Sequence, residues 1–149
     1  MTDKDLIYLK VGQILNVSQA IEYNLHYIII YDNILKTCMS VEEVKNKLKN
    51  KNSYYEQLKK ESIGNSLDLA RKTNIFDEDF LNSLSKAVHS RNYYAHRFFK
   101  DDFETNNLNT NPKKCLENLD RDLTRLNNMN NELCNDLNTL ITLIKKKIS

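Results

Sequence analysis

Turns have little to be built from in this chain: 149 residues contain two glycines and one proline, where average usage predicts about eighteen of the two together. Strand-rich folds need Gly, Pro or Asn-Gly turns roughly every eight to twelve residues, and phosphate-cradling loops need several glycines close together. Gly12 and Gly64 each stand alone, which excludes a P-loop, a dinucleotide-binding fingerprint and an all-β domain. What remains is an all-α chain. Its length suits one domain spanning residues 1–149, and no composition break or internal repeat divides it.

Hydrophobic residues make up 40% and the formal net charge is +2, a balance that suits a globular core and permits a polyanionic partner without demanding one. The longest apolar or aromatic run, residues 27–31, is far short of the roughly twenty residues that cross a bilayer. The polar, acidic residues 2–5 do not resemble a secretory signal. Cys38, Cys115 and Cys134 are odd in number and lack CxxC spacing, so neither a disulfide framework nor a zinc site is expected. A reduced, cytoplasmic protein without metal, cofactor or membrane anchor follows. Asparagine occurs 21 times and, with the Lys and Ile bias, reads as an AT-rich genome.

Ile7, Ile14, Ile21, Ile28 and Leu35 recur at seven-residue intervals, with Val11, Val17 and Leu25 between them. That spacing predicts an amphipathic helix over 3–36 with a core-facing seam. His26 lies beside the seam as a structural residue. Ser40-Val-Glu-Glu43 is a capping box and starts a short helix over 41–49. Ser53-Tyr-Tyr-Glu56 repeats the pattern and opens a helix to residue 72, which Gly64 weakens by about 1 kcal/mol relative to alanine. The acidic turn Asp77-Glu-Asp79 starts a helix over 77–99, with Phe80, Leu84, Val88, Ala95 and Phe98 facing inward. A polar loop over 101–110 precedes Asn111-Pro112, a cap and first-turn proline that open a last helix to residue 147. Long helices with short connections predict an antiparallel bundle of four to five helices.

One segment departs from a plain bundle. In the run Val88-His-Ser-Arg-Asn-Tyr-Tyr-Ala-His-Arg-Phe-Phe99, Arg91 takes a stripe position where an apolar residue is expected. A buried charge without a partner costs several kcal/mol, so Arg91 needs an acidic partner, a hydrated cleft or an anionic ligand. His89, Asn92 and His96 lie beside it, spaced three and four apart along the same helix. Guanidinium, carboxamide and imidazole along one border suit phosphate chemistry, because arginine neutralises a phosphoryl group and histidine moves protons near neutral pH.

Arg91-Asn-Tyr-Tyr-Ala-His96, late in a long helix of an all-α chain, resembles the R-N-x-x-x-H motif of HEPN-domain ribonucleases, a family of toxin–antitoxin and phage-defence systems. Ala95 before the histidine and Phe98 and Phe99 after it resemble the motif's usual surroundings. The resemblance implies a HEPN-like bundle acting as a metal-independent homodimer, with a composite cleft between motif helices and an antitoxin protein as a further partner. Arg91, Asn92 and His96 would be catalytic, and Arg97, His89 and Tyr94 would contact RNA. The product would be a 2′,3′-cyclic phosphate, and DNA would be spared. Geometry agrees with the need for two subunits, since residues five apart on a helix diverge by about 140°. Some toxins of the family carry an AMP-modified tyrosine two residues after the histidine; Phe98 stands there instead. The alternative is a non-catalytic bundle that binds nucleotide, RNA or a partner protein. Lysine clusters at 45–51, 59–60, 113–114 and 145–147 read as solvated faces, or as a weak basic surface for RNA backbone.

Overall fold

The computed structural model describes residues 1–101 and 106–149. Among them every regular element is a helix, six in all: α1 (Asp3–Thr37), α2 (Val41–Lys49), α3 (Lys51–Lys60), α4 (Ile63–Lys72), α5 (Glu78–His96) and α6 (Pro112–Ile148). Part of the loop expected over 101–110 lies outside the described residues. Its remainder, residue 101 and residues 106–110, is non-helical.

Caps explain most boundaries. The Ser40 hydroxyl accepts the Glu43 amide at 3.2 Å, while the Glu43 carboxylate accepts the Met39 amide at 2.9 Å. Asp77 accepts the Phe80 amide at 2.7 Å and Asn111 the Lys114 amide at 3.2 Å, as their sequences predict. The expected helix over 54–72 is instead two. It breaks at Glu61, whose extended backbone ends α3, and Ser62 then caps α4 by accepting the Asn65 amide at 3.2 Å. Ser53, expected as a cap, lies inside α3. Gly64 is not the break; neither glycine has positive φ. The left-handed positions belong to Asn74 (φ 58°) and Asn107 (φ 60°), because asparagine tolerates that region better than other residues with a Cβ.

Close contacts group the chain into two compact units, each discontinuous in sequence: Met1–Ile21 with Leu84–Asn130, and Glu22–Ser83 with Asn131–Ser149. In the first unit the α1 seam is buried at Ile7, Val11, Ile14, Val17 and Ile21, and α6 buries Leu119, Leu126 and Met129. Full burial of such a side chain contributes about 1.5–3 kcal/mol. Lys10 pairs with Asp120 at 2.8 Å and Tyr8 stacks on Phe99 at 4.9 Å. Tyr94 bonds Asp122 while Ser90 receives Arg125, so α5 and α6 run antiparallel there.

In the second unit residues 24–31 of α1 are all buried, the signature of a helix covered on every side. Against it α3 runs antiparallel, since Lys51 reaches Tyr31 and Tyr55 packs on Tyr23. α4 runs parallel to α1, with Ser66 at His26 and the Thr73 carbonyl at Lys36. So does α6, with Cys134 at Asn24 and Lys147 at the Leu35 carbonyl. The expectation of an antiparallel bundle of four to five helices is thereby corrected: the described residues form six helices, and in this unit α4 and α6 run parallel to α1.

Candidate functional site

The site residues of the motif lie on the second half of α5. The buried side chains of α5 are Leu81, Leu84, Ala87, Val88 and Tyr94, followed by Phe98 just beyond the helix. This corrects the expected stripe: Ala95 is exposed, Phe80 and Arg91 are half-buried, and Tyr94 takes the inward place. Tyr94 offers more apolar area than Ala95, and its hydroxyl finds a half-buried acceptor by donating to Asp122. Burial, together with the Asp122 carboxylate, pushes the Tyr94 hydroxyl well above its ordinary pKa. Tyr94, expected as an RNA contact, is therefore a core residue at 7% exposure.

The Asp122 carboxylate also faces Arg125 at 3.7 Å, and Arg125 donates to the Ser90 hydroxyl at 3.4 Å. This chain fixes the α6-facing side of α5. Sequence reasoning missed Asp122, Arg125 and Ser90, because partners 28 and 35 residues apart leave no trace in helical periodicity.

His89, Asn92 and His96 are exposed together on the outward strip of α5, as their spacing predicts. Arg91 lies about 100° round the helix from Asn92, and its guanidinium donates to the Asn92 side-chain oxygen at 3.1 Å. Asn92 thus links the half-buried cation to the exposed strip. Arg97 is exposed and paired with Asp101 at 3.0 Å. Directly after His96 the chain tightens, with the Arg97 and Phe98 amides both bonded to the Tyr93 carbonyl at 2.8 and 2.9 Å. Asn106, itself buried, donates to the Phe98 carbonyl and accepts the Leu108 amide at 2.9 Å, which pins the exit of the motif helix. Phe98, where a modifiable tyrosine would stand, is 2% exposed. Phe99 is 42% exposed and its stacking partner Tyr8 is 51% exposed, so an aromatic pair faces solvent three residues past His96.

The third histidine is elsewhere. His26 is buried, its Nε2 lies 3.1 Å from the Ser66 hydroxyl, and its Nδ1 has no partner. Desolvation lowers its pKa. Ser66 is wholly buried, so this serine–histidine pair is sealed from any substrate. Among the described residues no three His, Cys, Asp or Glu side chains group as metal ligands, and no helix is long and apolar enough to cross a membrane. Comparison with protein-family models, with curated proteins and with solved structures finds no match.

Proposed function

We propose that the chain is a metal-independent endoribonuclease of HEPN type, working as a homodimer in the cytoplasm as a toxin or phage-defence effector restrained by an antitoxin protein. The observation that carries this reading is the surface of α5: Asn92 and His96 share its exposed strip, and the Arg91 guanidinium is bonded to Asn92. In the proposed reaction the RNA 2′-hydroxyl attacks the adjacent phosphorus and the 5′-oxygen leaves. His96 of one subunit takes the 2′-hydroxyl proton, and His96 of the other gives a proton to the departing oxygen. Arg91 stabilises the charge that builds on the phosphoryl oxygens, and Asn92 orients them. His89 and Arg97 flank the strip as contacts to the RNA backbone.

Two subunits are required because Arg91 and His96 of one helix point about 140° apart. A two-fold axis brings one subunit's pair toward the other's. The exposed Tyr8–Phe99 stack supplies apolar surface for that meeting. The test is incubation of wild type, Arg91→Ala and His96→Ala with mixed RNAs in EDTA, followed by analysis of product ends. Wild type is expected to leave 2′,3′-cyclic phosphates and free 5′-hydroxyls, and both variants to lose activity by at least about a hundredfold with unchanged helical spectra. Cleavage at the wild-type rate by a folded His96→Ala protein would overturn the reading.

A further inference from the structure

A cleft of about 830 Å³ opens in the second unit, between the last turns of α1 and the helices α2 and α3. Its size falls within the range of small-molecule sites, roughly 300–1,000 Å³. The floor is apolar, formed by Ile30, Ile34 and Cys38, each no more than 4% exposed. The rim is polar and cationic, with Asn33, Asn46, Lys47, Lys51 and the half-buried Tyr54. One carboxylate lines it, Glu43, and that group is already engaged with the Met39 amide at 2.9 Å.

Charge around the cleft is lopsided. Residues 45–60 carry six lysines, at 45, 47, 49, 51, 59 and 60, against the single acid Glu56. The local excess of five positive charges exceeds the +2 of the whole chain. None of the six lysines forms an ion pair among the described residues. Lys51 is held over the Tyr31 ring, 3.5 Å from its hydroxyl, so one rim cation is positioned. The side-chain amides of Asn33 and Asn46 have no hydrogen-bond partner there, although both line the cleft.

An apolar floor beneath a rim of amides and uncompensated cations selects a ligand with two ends. We infer that the cleft binds a small phosphate ester with a flat organic body of nucleotide size: Lys47 and Lys51 take the phosphate, Asn33 and Asn46 take polar edges, and the body lies on Ile30 and Ile34 beside Tyr54. The inference does not depend on the ribonuclease reading, because none of these residues belongs to α5.

Calorimetric titration with three probes tests it. ADP carries both ends, pyrophosphate only the charge and adenosine only the body, so ADP should bind more tightly than either by at least about tenfold. Lys47→Gln with Lys51→Gln should remove that advantage. Lys59→Gln with Lys60→Gln, away from the cleft, should leave it within about twofold. These are surface changes, and circular dichroism verifies the fold in each. No saturable ADP binding, or pyrophosphate binding as tightly as ADP, would overturn the inference. So would a DNA 12-mer that binds better than ADP and loses affinity equally with either lysine pair, since that describes a diffuse nucleic-acid surface.

Discussion

The hydroxyl of Tyr94 is donated to a half-buried carboxylate on a neighbouring helix, while the tyrosine itself is buried. Bonds from a neutral donor to a charged group contribute more than neutral pairs. Tyr94→Phe should therefore cost about 1–2 kcal/mol of unfolding free energy, read by urea denaturation. The same burial favours the neutral hydroxyl in the folded state. This contribution is fully present below the unfolded tyrosine pKa, about 10, and is lost as pH rises beyond it. His26 acts at the other end of the scale. Its pKa is lowered by burial, so the fold favours the neutral ring; the benefit is complete above about pH 6.5 and is lost as pH falls through the folded-state value. The melting temperature should drop between pH 7.5 and 5, and His26→Gln should flatten that dependence even if it lowers the melting temperature at pH 7.5. An equally steep profile in the variant would assign the acid sensitivity to other groups.

Helix starts were legible at Ser40, Asp77 and Asn111, each with a side-chain cap. The break between α3 and α4 was not, although Ser62 caps α4 in the same way, because Leu58, Ser62, Ser66 and Ala70 keep four-residue spacing straight across it. Periodicity reports a face and is blind to an interruption that preserves the phase. The face of α5 was legible in part. Leu84, Val88 and Phe98 are buried as read, but Tyr94 and Ala95 are both apolar neighbours, and the choice between them rests on Asp122, which spacing cannot reveal. The exposed strip of His89, Asn92 and His96 could be read because polar residues at three and four spacing leave no other arrangement. At Gly12, in mid-α1, a Cβ would meet nothing within 4 Å and the backbone is helical. Gly12→Ala should thus stabilise the protein by about 0.5–1 kcal/mol, seen as a higher urea midpoint. An unchanged or lower midpoint would show that position 12 is in contact with something beyond its own chain.

At the scale of the whole molecule, the proposed activity and the assembly stand together. If Tyr8 and Phe99 cover each other's counterparts in a dimer, a charge placed there is costly to desolvate. Phe99→Glu should shift sedimentation from dimer to monomer and reduce RNA cleavage by about tenfold or more, with helical content intact. A monomeric variant that cleaves RNA at the full rate would remove the composite site from the mechanism. The chain's asparagines bear on the other side of the folding balance. With Asn74 and Asn107 in the left-handed turns where glycine is usual, the unfolded chain is stiffer at both places. Each such position spares roughly 0.4–1 kcal/mol of backbone freedom that a glycine would have to surrender on folding. The scarcity of glycine thus acts most where no helix is present, in the entropy of the chain before it folds.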